Sequence, residues 1–530
     1  MTKYVAGKWD LSGLVPNPKT PAFTRQIQAL EKKSKQFANI KSSLKPKISS
    51  KKFFEILHKI EDIDEKMSII GGYSSLAYAA DTQSDEATSL LTKMNKLGAD
   101  ISNQILFFDL WWKRSIDEKN AKRLIREAGQ LSGYLSYKRL LAKYSLSEPE
   151  EKIINTLDVT GCTALVKLYD KITNAFEYYV RLNGKKKKLT REELSSLVRS
   201  TKSKTRENAY KSLFSKFLVS KGVLGEIYQN IVLNWRDEGV EIRGFSTPIS
   251  IRNIGNDVDD KTINSLLTVC KKNTSLFQKF FLKKAKMLGM KKLRRYDLYA
   301  PSASKIKEKN YPYDKSVKMV FESFEKFSPK LKELAKKVFD ENHIDSSIRA
   351  GKRDGAFCST LSPKITPYVM VNFTGKAKDA YTLAHELGHA VHSQAASDKS
   401  ILVSDAPLPL AETASTFSEL LLYDSLSEKI SDEEKKIMLS EQIDDFYASI
   451  IRQAFFTLFE INAHKQIANT TTVDELSKTY FSNIQEQFGR SIILSNDFSL
   501  EWSCIPHFFH TPFYCYAYSF GNLLALSLFQ

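Results

Sequence analysis

The eight residues HELGHAVH at 385–392 hold three of the eight histidines in a chain of 530 residues. On a helix, His385 and His389 stand four residues apart, so they project from one face about 40° apart around the axis. Two imidazole nitrogens placed in this way can reach a single metal ion. Glu386 is turned by about 100° from His385. It is badly placed to join the pair as a third ligand, but it can stand beside a metal-activated water and accept its proton. This is the HExxH logic of zinc hydrolases: two neutral nitrogen ligands and a carboxylate acting as general base. His392 shares the face of His385 but lies a turn beyond it, and is expected in an outer position or in packing.

Catalytic zinc needs a third protein ligand and an open fourth position. The stretch DAPLPLAETASTFSELLLYDSL, 405–426, places prolines first and then an apolar pattern broken by Glu412, Ser415 and Glu419. It reads as a second helix that returns to the first after a loop. Glu412 is the expected third ligand, giving a His-His-Glu set. Glu419, two turns further on the same face, is expected to orient a ligating histidine.

Other elements must hold these groups in place. The residues GAFCSTLSPKITPYVMVNF, 355–373, carry period-two segments rich in Val, Tyr and Phe, broken by Pro363 and Pro367. They predict two short strands just before the histidine helix. The first 175 residues carry apolar positions at helical spacing. YYVRL-NG-KKKKL then predicts a hairpin with an exposed basic strand, and Thr190 to Glu193 a capping box opening the next helix. Helices are expected to about residue 236, and GFSTPISIRNIGNDVDD, 244–260, as a loop. The boundary is set between an N-terminal helical lobe, 1–189, and a catalytic lobe, 190–530. Far along the chain, CIPHFFHTPFYCYAYSFG, 504–521, crowds His507, His510, Tyr514, Tyr516 and Tyr518 into one short segment. Amide hydrolysis develops an oxyanion, and O–H or N–H donors of this kind can stabilise it.

The composition narrows the alternatives. It is 42% hydrophobic and 26% charged, as in ordinary globular proteins. No apolar run approaches the roughly 18–20 residues that span a bilayer, and MTKYVAGKWDLSGL lacks the layout of a secretory signal. A cytoplasmic protein without membrane partners is expected. The five cysteines are widely spaced with no CxxC, which argues against disulfides and against a cysteine zinc site. The net charge of +18 is spread along the chain, so nucleic acid is not the expected partner.

LAHELGHAVHS followed by LAETASTFSE resembles the oligoendopeptidase F branch of the thimet-oligopeptidase-like zinc peptidases. Trp9-Asp10-Leu11, RGF at 243–245, YDLYAP at 296–301, and GAF with PYVMVNF are similar to that family in the same order, over nearly the whole chain. The resemblance implies a mainly α, two-lobed zincin-type metallopeptidase. It implies a small β-sheet beside the HExxH helix and a deep channel that admits short peptides and excludes folded proteins. It implies one zinc ion on His385, His389 and Glu412, with Glu386 as the catalytic glutamate. It further implies that a histidine and tyrosines of the tail segment, taken here as His507, Tyr514 and Tyr518, lie over the zinc; His510 stays open as the alternative histidine. The chain stops at GNLLALSLFQ within a helical pattern, where family members usually continue for several dozen residues, so the last helices are expected to be missing. The expected activity is cleavage of internal bonds in oligopeptides. An exopeptidase such as a dipeptidyl carboxypeptidase on the same fold is the nearer alternative, and a non-enzymatic basic binding protein the distant one. Oligomeric state is not legible.

Overall fold

The structure, a computed structural model, describes residues 3–182, 184–302, 310–428 and 430–529. It is mainly helical with three small sheets among the described residues. No helix of the described residues is long and apolar enough to cross a membrane.

Three large apolar cores hold the chain together. The first is built by the N-terminal helices, among them Ser50–Ala80 and Asp85–Leu110, around Phe53, Phe108, Trp111 and Trp112. Ser49 and Ser84 cap those two helices through their side chains, satisfying backbone N–H groups that have no partner inside the helix. The second core joins Tyr169 and helices between Ser203 and Lys272 to Arg452–Ala468, Val473–Phe488 and the histidine-tyrosine tail segment. The third packs Tyr313–Phe327 and Pro329–Asp340 against the histidine helix, Ala377–Ala395, and the glutamate helix, Leu408–Ser427.

A three-stranded sheet knits the first core to the third. Tyr368–Met370 is its centre, parallel to Ile344–Asp345 and antiparallel to Phe357–Ser359. Side chains alternate across a strand. Tyr368 and Met370 accordingly enter the first core and Val369 the third. The two predicted strands are therefore present as an antiparallel pair, and Phe357–Ser359 is one edge of the sheet.

The predicted hairpin pairs Tyr178–Leu182 with Lys185–Leu189, burying Tyr178 and Val180 and exposing Lys185 to Lys188. Asn183 of its turn lies outside the described residues, as does the terminal Gln530. The Thr190 capping box is closed by Glu193. One expectation is corrected: the stretch 244–260 is not all loop, for Pro248–Gly255 is helical. Thr247 caps it and proline stands in its first turn, the pairing that starts helices because proline lacks an N–H the first turn would leave unpaired.

Candidate metal centre

Two glycines let three helices close around Glu412. A Cβ on Gly388, inside the HELGH run, would meet Ser418 Oγ at 2.5 Å and Ser415 Cα at 2.9 Å. The absence of that atom lets the histidine and glutamate helices touch backbone to backbone. A Cβ on Gly521, in the terminal helix Tyr516–Phe529, would meet Glu412 Cβ at 2.7 Å and its carbonyl carbon at 2.8 Å. Glu412 is thus gripped from both sides and is 1% exposed.

The close approach brings one ligand atom each from His385, His389 and Glu412 within 4.8 Å of one another. His385 Nε2 lies 3.2 Å and His389 Nε2 3.8 Å from Glu412 Oε2. On its other side, His385 donates from Nδ1 to Glu419 Oε1 at 2.6 Å, because an ionised carboxylate only accepts. Burial disfavours charge on His385, yet the Glu412 and Glu419 carboxylates outweigh it and hold the imidazole well above its ordinary pKa. Burial keeps His389 neutral, with its pKa lowered to about 4. Glu412 resists its own burial through the His385 contact and the His389 field, and its pKa falls to about 2.

This donor set fits a metal ion: two imidazole nitrogens and an ionised carboxylate oxygen converge on one point. A cation there would replace the proton that His385 shares with Glu412. Glu386 adds a second sign. It is 5% exposed, and its Oε2 has no hydrogen-bond partner among the described residues. Burial raises its pKa to about 8. A buried, unsatisfied carboxylate oxygen is costly unless a ligand meets it.

The tail segment closes the other side. Tyr514 donates its hydroxyl to Glu412 Oε1 at 2.5 Å. Tyr518 lies 3.1 Å from His507 Nε2, and the rings of His507, Tyr514 and Tyr518 pack together. Burial lowers the His507 pKa to about 4. The helix here begins at Tyr516, so Tyr514 sits in the turn ahead of it. His510 points elsewhere: its Nε2 meets Asp170 at 2.7 Å and its Nδ1 meets the Arg353 guanidinium at 2.8 Å. His392 is half-buried outside the three-residue cluster.

Sequence reasoning passed over three contributors. Ser415 donates to Glu412 Oε2 at 3.3 Å, and Gly388 and Gly521 admit the neighbouring helices. A small residue three positions after a candidate ligand was the available signal for Gly388 and Ser415; Gly521 lies on a helix that carries none of the three ligands and offered no such signal. A cavity of about 290 Å³, lined in part by Gly355, Ala356, Phe373 and Thr382, opens at the start of the edge strand, one turn ahead of His385.

A helical frame that presents HExxH beside a helical glutamate, with a buried carboxyl next to it, defines a metallopeptidase. Peptidase family M3 matches residues 196–530, and the chain belongs to that family. It is similar to an oligoendopeptidase F homolog of Borreliella burgdorferi, 26% identical over 99% of this chain and 88% of the relative. The chromosomal oligoendopeptidase F of Lactococcus lactis is 25% identical over 93% and 83%. Solved structures share the fold. Oligoendopeptidase F from Enterococcus faecium superposes with a TM-score of 0.72 at 19% identity, covering 96% of this chain and 87% of that one. PZ peptidase A with an inhibitor gives 0.82 at 16%, covering 94% and 87%. The chain is a metalloendopeptidase that acts on peptides.

Proposed function

We propose that this chain is a zinc-dependent oligoendopeptidase that hydrolyses internal bonds of short peptides in the cytoplasm. The observation that carries the reading is the convergence of His385, His389 and Glu412 beside the buried Glu386, whose Oε2 has no hydrogen-bond partner among the described residues. The relatives named oligoendopeptidase F support the choice of peptide class. His385, His389 and Glu412 would hold the ion. When bound, zinc would supply a Lewis acid that polarises the scissile carbonyl and makes water more acidic.

The protein's own residues do the rest. Glu386 takes a proton from the attacking water and passes it to the leaving amine. A pKa raised by burial suits a group that must both accept and return that proton. Glu419 fixes the ring of His385 by accepting from Nδ1. Tyr514, Tyr518 and His507 are the donors for the developing oxyanion. The substrate backbone pairs with the edge strand Phe357–Ser359, in the manner of an added strand.

The test is mass spectrometry of a mixed set of short peptides incubated with the purified, zinc-loaded protein, with Glu386→Gln as control. Internal cuts made by the wild type alone are expected. Stepwise loss of dipeptides from the C-terminus would replace this reading with a dipeptidyl carboxypeptidase. Absence of cleavage at stoichiometric zinc would sink it.

A further inference from the structure

Phe513 adopts φ +58°. A bulky side chain in the left-handed region is a true outlier, because its Cβ crowds the backbone there. Such a conformation persists only where the surroundings over-determine it, and it clusters at functional sites.

The surroundings here are specific. The Phe513 N–H donates to Glu460 Oε1 at 2.8 Å. The Pro512 carbonyl accepts from Arg252 Nε at 3.0 Å. The Phe513 ring, 1% exposed, lies 4.6 Å from the ring of His464. Glu460 and His464 are four residues apart on Arg452–Ala468, so they share one face of that helix. Both are 1% exposed. Glu460 Oε2 and both ring nitrogens of His464 have no hydrogen-bond partner among the described residues. The polar contact of this buried carboxyl is therefore spent on a single backbone N–H, at the elbow between His507 and Tyr514. The next residue after the elbow carries the hydroxyl that reaches Glu412.

We propose that Glu460 is a positioning residue for the reaction: by holding the Phe513 N–H it fixes the positive-φ elbow that aims the Tyr514 hydroxyl at the metal centre. The proposal rests on the assignment of Tyr514 to that centre. It separates reach from charge. Glu460→Gln keeps an acceptor at the same reach, whereas Glu460→Asp keeps the carboxyl and withdraws it by one methylene.

The experiment is steady-state cleavage of one peptide by the zinc-loaded enzyme, with zinc content measured on every variant. E460D is expected to lower kcat about tenfold or more at unchanged KM and zinc, since misplacement by about 1 Å can cost a hundredfold. E460Q is expected to stay within about threefold of wild type. The E460D loss should vanish in a Y514F background, because both changes then act through one hydroxyl. Phe513→Ala, which keeps Glu460 but removes the ring packed on His464, should lower kcat in the same way. Wild-type turnover in E460D, or an equal loss in the Y514F and wild-type backgrounds, would overturn the positioning role. Wild-type turnover in Y514F alone is a different failure: it removes Tyr514 from the site, and the route through it.

Discussion

At the residue scale, the proposed chemistry rests on groups whose removal has separable effects. Glu386→Gln keeps the shape of the site and removes the base. Turnover should fall between about a hundredfold and ten-thousandfold with zinc retained, as read by metal analysis beside the rate. His389→Ala should lose zinc and activity together; a full complement of zinc in that variant would refute the ligand assignment. Tyr514→Phe should keep zinc and lose about a hundredfold to a thousandfold in kcat, the range for one oxyanion donor. These groups differ in how far the sequence discloses them. The pair His385 and His389 is legible because helical spacing alone puts both on one face. Glu412 is legible only through the apolar pattern around it. The different surroundings of His507 and His510 come from geometry that spacing does not encode: the short helix Pro506–His510 turns one ring to Tyr518 and the other to Asp170 and Arg353.

At the element scale, the site depends on how closely three helices approach. Gly388→Ala would force a methyl group against Ser418 Oγ and the Ser415 backbone. Overpacking of this kind costs about 1–3 kcal/mol, and here the strain falls on the helix carrying Glu412. A lower melting temperature and zinc affinity weakened by about tenfold are expected, measured by thermal unfolding and chelator competition. Adding Ser418→Ala should recover only part of the loss, because the Ser415 backbone still obstructs. Periodicity revealed that the helices exist, and the Thr190 and Glu193 types revealed where one starts. It could not reveal the short helix at Pro248–Gly255, whose eight residues are flanked by turn formers. Nor could it reveal the interhelical distance, since a glycine within a helix reads as a weakness until the opposing helix is known.

At the scale of the whole molecule, two buried groups on one helix set opposite limits on stability. Burial raises the Glu460 pKa from its ordinary 4.5 to about 8. Between those values the folded chain binds more protons than the unfolded one, so stability falls as pH rises through the window. Burial lowers the His464 pKa from 6.5 to about 3. There the unfolded chain binds more protons, and stability is lost as pH falls through the window. Each contributes a slope of up to about 1.4 kcal/mol per pH unit. Glu460→Gln should remove the decline between pH 4.5 and about 8 and leave the His464 loss below pH 6.5 in place, as seen in melting temperature against pH.

The Tyr514 hydroxyl and the carboxylate it meets are 102 residues apart in the chain. Ribosomes add about 5–20 residues per second, so Glu412 leaves the tunnel on the order of 5–20 s before Tyr514 does. During that interval a nascent chain carries His385, His389 and Glu412 without Tyr514 and Tyr518, and without the glycine contact at Gly521 that pins Glu412. On the proposed mechanism, the order of synthesis alone would therefore keep the nascent chain idle, with turnover beginning only once Tyr514 and Tyr518 fold against Glu412.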